Sequence, residues 1–240
     1  MKTIVISSGK GGVGKTSMAV NLSIIMAHEH AMDVALIDAD IGTANVNLLL
    51  GISPSRTIKD IQKGRNPSSV GAKVYGITLY AGDAGREPDG GYSIAGIVNA
   101  VKSTGPDVII LDTHPGVTKS SIEAIRTGDH IVVVSSPEIT SVTDTYQLIK
   151  RIGRNKQKIS ILMNEANPKM GYAKAGIIVG VARTHLKRDI EYVGNIRYSR
   201  RVREAVAEQA PFYVTQPNSS VVHDLSVVCK KILRSEGEGI

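Results

Sequence analysis

Lys2-Thr3-Ile4-Val5-Ile6-Ser7-Ser8-Gly9-Lys10-Gly11-Gly12-Val13-Gly14-Lys15-Thr16-Ser17 carries the reading of the whole chain. Lys2 to Ser7 is rich in β-branched residues and runs into a glycine cluster, which predicts a buried strand. From Ser17 to His30, apolar residues recur with a spacing near 3.6, so a helix leaves the loop. Between them Gly9, Gly14, Lys15 and Thr16 meet the spacing G-x-x-x-x-G-K-[ST] of a phosphate-binding loop. Gly9, Gly11, Gly12 and Gly14 let successive backbone N–H groups, that of Val13 among them, turn toward phosphate oxygens with no Cβ in the way. The helix N-terminus adds unsatisfied donors and partial positive charge. In such a loop Lys15 reaches the β- and γ-phosphates and the Thr16 hydroxyl holds Mg²⁺. Ser17, in the first helical turn, is placed to meet the α-phosphate. Lys10 is a lysine more than the motif requires.

Four further segments predict polar groups at one end of a sheet. Val34 to Ile37 is a short apolar strand closing on Asp38-Ala39-Asp40. Val108 to Leu111 closes on Asp112-Thr113-His114-Pro115-Gly116, the shape of a Walker B element whose carboxylate orders the metal through its waters. Ile131 to Val134 runs into Ser135-Ser136-Pro137-Glu138 and a helix expected near residues 140–154. Ile159 to Met163 ends at Asn164. Ligands of open α/β sheets bind beyond the carboxyl ends of the strands, where the loop also lies. An aspartate after a strand is often only a turn former or helix cap. The upstream loop is what gives Asp38, Asp40 and Asp112 their weight. Asn164 reads equally well as a turn residue, and His114 reads as an exposed loop histidine.

Composition sets the limits. A chain of 240 residues suffices for one large α/β domain, 1–240, with 235–240 as a flexible acidic, glycine-rich tail. Strand runs alternate with helical patterns, which predicts a mostly parallel sheet with helices on both faces. No run of eighteen apolar residues occurs, and the first strand begins almost at residue 1, so neither a membrane span nor a leader is expected. A single cysteine, Cys229, excludes an intrachain disulfide and an all-cysteine metal site within one chain. The expected location is the cytoplasm. Net charge is +7, and almost all of the excess falls after residue 120, at Lys150, Arg151, Arg154, Lys156 and Lys158, at Lys187 and Arg188, and at Arg197, Arg200, Arg201 and Arg203. Such a surface could meet DNA or anionic lipid, although solvated helix ends explain it more simply and aromatic residues for base stacking are scarce. Val221, Val222, Leu225, Val228, Ile232 and Leu233 recur at helical spacing and predict a last helix docked on the body. Gly171, Gly176 and Gly180 fall in a predicted helix, where each costs about 1 kcal/mol relative to alanine.

Lys10-Gly11-Gly12-Val13-Gly14-Lys15-Thr16 resembles the deviant Walker A motif of the MinD/ParA family of P-loop ATPases. Asp38-Ala39-Asp40-Ile41-Gly42-Thr43-Ala44-Asn45, followed by Leu48-Leu49-Leu50-Gly51, is similar to that family's first switch. Pro137-Glu138-Ile139-Thr140-Ser141-Val142-Thr143-Asp144, with Tyr146 to Lys150, resembles the MinD-like regulators of flagellar number called FlhG or FleN. The likeness implies a three-layer P-loop NTPase fold. It implies a cytoplasmic, Mg²⁺-dependent ATPase that binds ATP and ADP, dimerises with ATP and hydrolyses it slowly. Such a switch governs the position or number of a cellular assembly and answers to a protein partner that stimulates hydrolysis. By this likeness Lys10 reaches across the dimer to the phosphates of the other subunit, and Asp40 positions or activates the attacking water. Asp38 orders metal-bound water, Asp112 is the Walker B acid, Gly116 senses the γ-phosphate, Asn164 reads the adenine edge and Asn45 shapes the switch. Two departures stand out: His114-Pro115 where the family usually has a small residue, and Ile196-Arg197-Tyr198-Ser199 where it often has Ile-Pro-x-Asp. A ParA-type partition ATPase that binds DNA is the alternative, and peripheral membrane association stays open without a clear targeting helix. A metal-cluster or nickel carrier would need paired cysteines. An amidating synthase would need a glutaminase module.

Overall fold

The computed structural model describes residues 1–40, 42, 45–83, 93–153 and 156–234. Along the chain run β1 (Lys2–Ser7), α1 (Lys15–His30), β2 (Val34–Ala39), α2 (Val46–Leu49), α3 (Ile58–Gln62), β3 (Ala72–Val74), β4 (Ile77–Tyr80), α4 (Ile94–Lys102) and β5 (Val108–Thr113). They continue with α5 (Lys119–Arg126), β6 (His130–Ser135), α6 (Ile139–Ile152), β7 (Lys158–Met163), α7 (Pro168–Val181), β8 (Glu191–Asn195), α8 (Arg200–Ala207), α9 (Phe212–Thr215) and α10 (Ser220–Arg234). The strands form one sheet in the order β3-β4-β2-β5-β1-β6-β7-β8, parallel except for the β3–β4 hairpin at one edge. This is the expected α/β architecture.

Because helices cover both faces, the central strands are buried along their whole length and read as apolar runs rather than alternating ones. The pleat still sorts their side chains. Ile4, Ile6, Val132 and Val134 join the core under α1 and α10, while Val5, Ile131 and Val133 join the core under α4 to α7. Helix α1 is buried along most of its length, between sheet and α10. Such a helix needs no polar face.

Several expectations meet the structure in detail. The helix expected near 140–154 is α6, which ends where Gly153 takes a left-handed φ of 74°; Arg154, like residues 235–240, lies outside the described residues. The last helix is α10, whose Val221, Val222, Leu225, Val228 and Ile232 are buried and which packs on α1 and β8. Gly171 is in α7 because a Cβ there would come within 2.9 Å of Asn195 Cβ and the Tyr192 hydroxyl on β8; Gly176 and Gly180 face open space. No helix among the described residues is long and apolar enough to cross a membrane.

Candidate functional site

The loop after β1 is held open by backbone geometry. Gly12 and Gly14 adopt φ of 78° and 86°, which side-chain-bearing residues rarely reach. Nothing lies within 4 Å of where a Gly12 Cβ would stand. Gly9 is required for a different reason: a Cβ there would strike the backbone of Asp144 and Thr145 in α6. Helix α1 starts at Lys15 with Gly14 at its N-cap, no side-chain cap and no acid in its first turn. Its first N–H groups are therefore left for an external acceptor. Gly11, Gly12, Gly14, Lys15, Thr16, Ser17, Asp40 and Asn45 line one cavity of about 390 Å³. A larger groove of about 740 Å³ between α5 and α6 has none of these donors, and chemistry rather than size selects the loop.

Beside the cavity, parallel pairing of β2 and β5 sets Asp38 directly against Asp112. Both are fully buried. Asp38 accepts from the Asp40 N–H at 3.1 Å and the Val46 N–H at 3.2 Å. Burial, and then the neighbouring Asp112, push its carboxyl up to about 7. Burial also raises Asp112, against the pull of Lys15 and the Thr16 hydroxyl. Lys15 Nζ lies 2.6 Å from Asp112 Oδ1 and 3.9 Å from Asp40 Oδ2. One buried cation thus faces three acids. Asp112 Oδ2 is buried with no hydrogen-bond partner among the described residues.

That cluster of buried carboxyls around one lysine fits a divalent cation, which would favour their ionised form. No group of three or more His, Cys, Asp or Glu forms a closed cage among the described residues. Mg²⁺ suits such an open set, since it keeps several waters and binds through one or two carboxylates plus phosphate oxygens. Thr16, Asp112 and Asp38 are the groups expected from the sequence to hold it; Thr16 lines the cavity, whereas the two aspartates are buried and do not line it, and both Asp38 oxygens accept backbone N–H bonds.

The remaining expected residues divide. Lys10 does not line the cavity of its own loop. Its side chain is 40% exposed, and its ammonium lies 2.8 Å from Glu138 Oε2 and 3.1 Å from Thr140 Oγ1 at the start of α6; the bond to Glu138 holds that carboxyl below its usual range. Gly116, at φ 81°, donates its N–H to the Ser8 carbonyl at 2.7 Å, which ties the segment after β5 to the loop. Asn164 reaches the loop from behind, donating from Nδ2 to the Val13 carbonyl at 2.9 Å. Its amide therefore braces the loop in this arrangement. Asn45 stands before α2 at the cavity wall, while Ile41, Thr43 and Ala44 of the switch-like stretch lie outside the described residues.

Two residues read differently in the structure than in the sequence. His114, expected as an exposed loop histidine, is 36% exposed and sets Nδ1 2.7 Å from Asp40 Oδ1. Arg197, unexplained from sequence, clamps Asp224 of α10 with Nε and Nη2 at 2.7 and 2.8 Å. Other members of the basic second half are also partnered: Lys158 with Glu191, Arg200 with Glu204 and Arg203 with Glu165. Only the departure of His114 from the family pattern marked it beforehand.

Comparison with known proteins agrees with this geometry. A solved structure of the septum site-determining protein MinD from Pyrococcus horikoshii, complexed with Mg-ADP, superposes with a TM-score of 0.80 at 21% identity, covering 97% of this chain and 96% of that one. That likeness shows the fold. The antiactivator FleN of Pseudomonas aeruginosa is 32% identical over 246 residues, covering 97% of this chain and 86% of FleN. The flagellum site-determining protein YlxH of Helicobacter pylori is 28% identical over 231 residues, covering 90% and 76%. The ParA family profile, described as "NUBPL iron-transfer P-loop NTPase", matches residues 1–233. With the deviant loop, the paired strand-end aspartates and a relative this similar over nearly its whole length, the chain belongs to the ParA/MinD family of P-loop NTPases.

Proposed function

We propose that the protein is an ATP-gated dimeric switch that binds Mg²⁺ and ATP, hydrolyses ATP slowly to ADP and phosphate, and regulates the position or number of an assembly. The observation that carries this is the placement of Lys10. It belongs to the phosphate loop by sequence, yet it stays outside that loop's cavity and stands exposed on α6. A loop lysine not used by its own cavity supports a role at the phosphates of a second subunit.

In this reading the uncapped N–H groups of α1 and the loop receive the phosphates, and Lys15 exchanges Asp112 for the β- and γ-phosphate oxygens. Thr16, Asp112 and Asp38 would hold Mg²⁺, which would supply neutralisation of the phosphate charge. Asp40 positions the attacking water. Lys10 leaves Glu138 and Thr140 to place a cation on the partner's transferring phosphoryl group, the part an arginine finger plays elsewhere, worth roughly 10³–10⁵ in rate. Gly116 gives up Ser8 for the γ-phosphate. Asn164 keeps the loop in shape behind the nucleotide. The names of FleN and YlxH make flagellar placement or number the first assembly to examine, with a hydrolysis-stimulating protein as partner.

Other readings have less support. Ion pairs occupy several of the arginines and lysines that a DNA-binding reading would use. The apolar face of α10 is buried on the body rather than open to lipid. Cys229 is buried, and burial and then Glu29 push its thiol up to about 12, which suits a packed core thiol and not a metal-cluster ligand.

The test is Lys10→Ala beside Lys15→Ala. Lys10→Ala should keep affinity for a fluorescent ATP analogue but lose ATP-dependent dimerisation in light scattering, together with at least a hundredfold of turnover. Lys15→Ala should lose binding itself. Normal turnover by Lys10→Ala would overturn the proposal.

A further inference from the structure

Beyond the pairing of β2 with β5, a side chain of one switch-like segment, His114, also contacts the other. It follows Thr113 at the end of β5, and its Nδ1 lies 2.7 Å from Oδ1 of Asp40, at the end of β2. The sequence distance is 74 residues. Asp40 is close to buried, with a side chain 10% exposed. Its backbone N–H is spent on Asp38, and its Oδ2 faces Lys15 at 3.9 Å. That lysine contact is long, and Lys15 has a closer partner in Asp112. Of these two side-chain contacts, the bond to His114 is the tighter. An Nδ1–H donor serves equally in the neutral δ tautomer and in the charged ring. An alanine or glycine at position 114 has no polar side-chain atom to offer Asp40.

We propose that His114 is a positioning residue for Asp40. It fixes the carboxylate rotamer from the neighbouring switch segment and leaves Oδ2 on the cavity side, aimed at the attacking water. Because His114 is two residues from Gly116, whose N–H is bonded to the phosphate loop, a shift of that segment moves the group that orients Asp40. Alignment of Asp40 then depends on both segments at once. This rests on the reading of Asp40 as the residue that handles the attacking water.

Steady-state ATP hydrolysis by the full chain with Mg²⁺ tests it in five forms: wild type, His114→Ala, His114→Asn, Asp40→Ala and the double variant Asp40→Ala/His114→Ala. His114→Ala should lower kcat about tenfold or more, the rate equivalent of one hydrogen bond to a charged group, with KM for ATP within about twofold. His114→Asn, whose Nδ2 can stand where Nδ1 stood, should recover most of the loss. The double variant should be no slower than Asp40→Ala alone, since a positioning residue has nothing left to position. Unchanged kcat in His114→Ala, equal failure of Ala and Asn, or an additive double variant would each overturn the proposal. Wild-type turnover by Asp40→Ala would instead remove the reading of Asp40 on which it rests.

Discussion

Replacing Lys15 with methionine removes one charge while keeping the length of the side chain, and it should expose how the site is balanced. Lys15 is 6% exposed and its partner Asp112 1%, at 2.6 Å, with Asp40 at 3.9 Å. Breaking a buried pair by removing one partner costs about 3–5 kcal/mol, because the remaining charge is left uncompensated. The loss should depend on pH in a defined direction. Asp38 and Asp112 already have folded-state carboxyls above the ordinary 3.8, and Lys15 is a lowering influence on both. Without it both rise further, so the folded state prefers the protonated acids more strongly. The Asp38 share of the penalty is absent below the wild-type folded value of about 7 and grows as pH rises through it, because only the ionised acid needs the missing cation. Urea unfolding of wild type and Lys15→Met at pH 8 and pH 5, without nucleotide, should show a loss at pH 8 at least twice that at pH 5. At pH 8, Mg-ATP at a hundred times its dissociation constant should add about 2.7 kcal/mol to wild type and nothing to the variant. A loss equal at both pH values, or a variant more stable than wild type at pH 8, would refute this account.

Two further outcomes follow from packing and burial. Gly9→Ala should lower the urea midpoint at constant m by the equivalent of about 1–3 kcal/mol, since its methyl must displace the backbone of α6 at Asp144 and Thr145; a midpoint within error of wild type would mean the loop yields instead. His130 is buried with Nε2 2.7 Å from Ser160 Oγ, and burial, with Lys2 and Lys158 nearby, lowers its pKa to about 3 from 6.5. The fold therefore prefers the neutral ring, and the stability it contributes above pH 6.5 should drain by about 1.4 kcal/mol per unit as pH falls toward 3. His130→Gln should remove that slope between pH 6.5 and 5, and parallel curves would show that another group governs it.

Much of the site was legible because its signals are local. The loop spacing, the strand ahead of it and the helix behind it all lie within thirty residues, and each is a short-range consequence of residue type. Aspartates closing apolar strands were readable for the same reason. The weak strands were not singled out: β3 is three residues long, and β8 interrupts its pattern with Gly194 at φ 144°. Arg197, in the loop after β8, had no visible partner because Asp224 is 27 residues away on α10.

The sequence alone determined the phosphate loop, the run of strands and helices, and which aspartates stand at strand ends, because periodicity and turn chemistry act over a few residues. Only the tertiary structure decided that Asp38 faces Asp112, that one lysine is shared among three acids, that Lys10 rests on α6, and that His114 grips Asp40. Those contacts depend on strand order and register, which bring distant segments to within 3 or 4 Å. Desolvation there makes an ionised carboxylate costly unless it holds a proton or faces a cation.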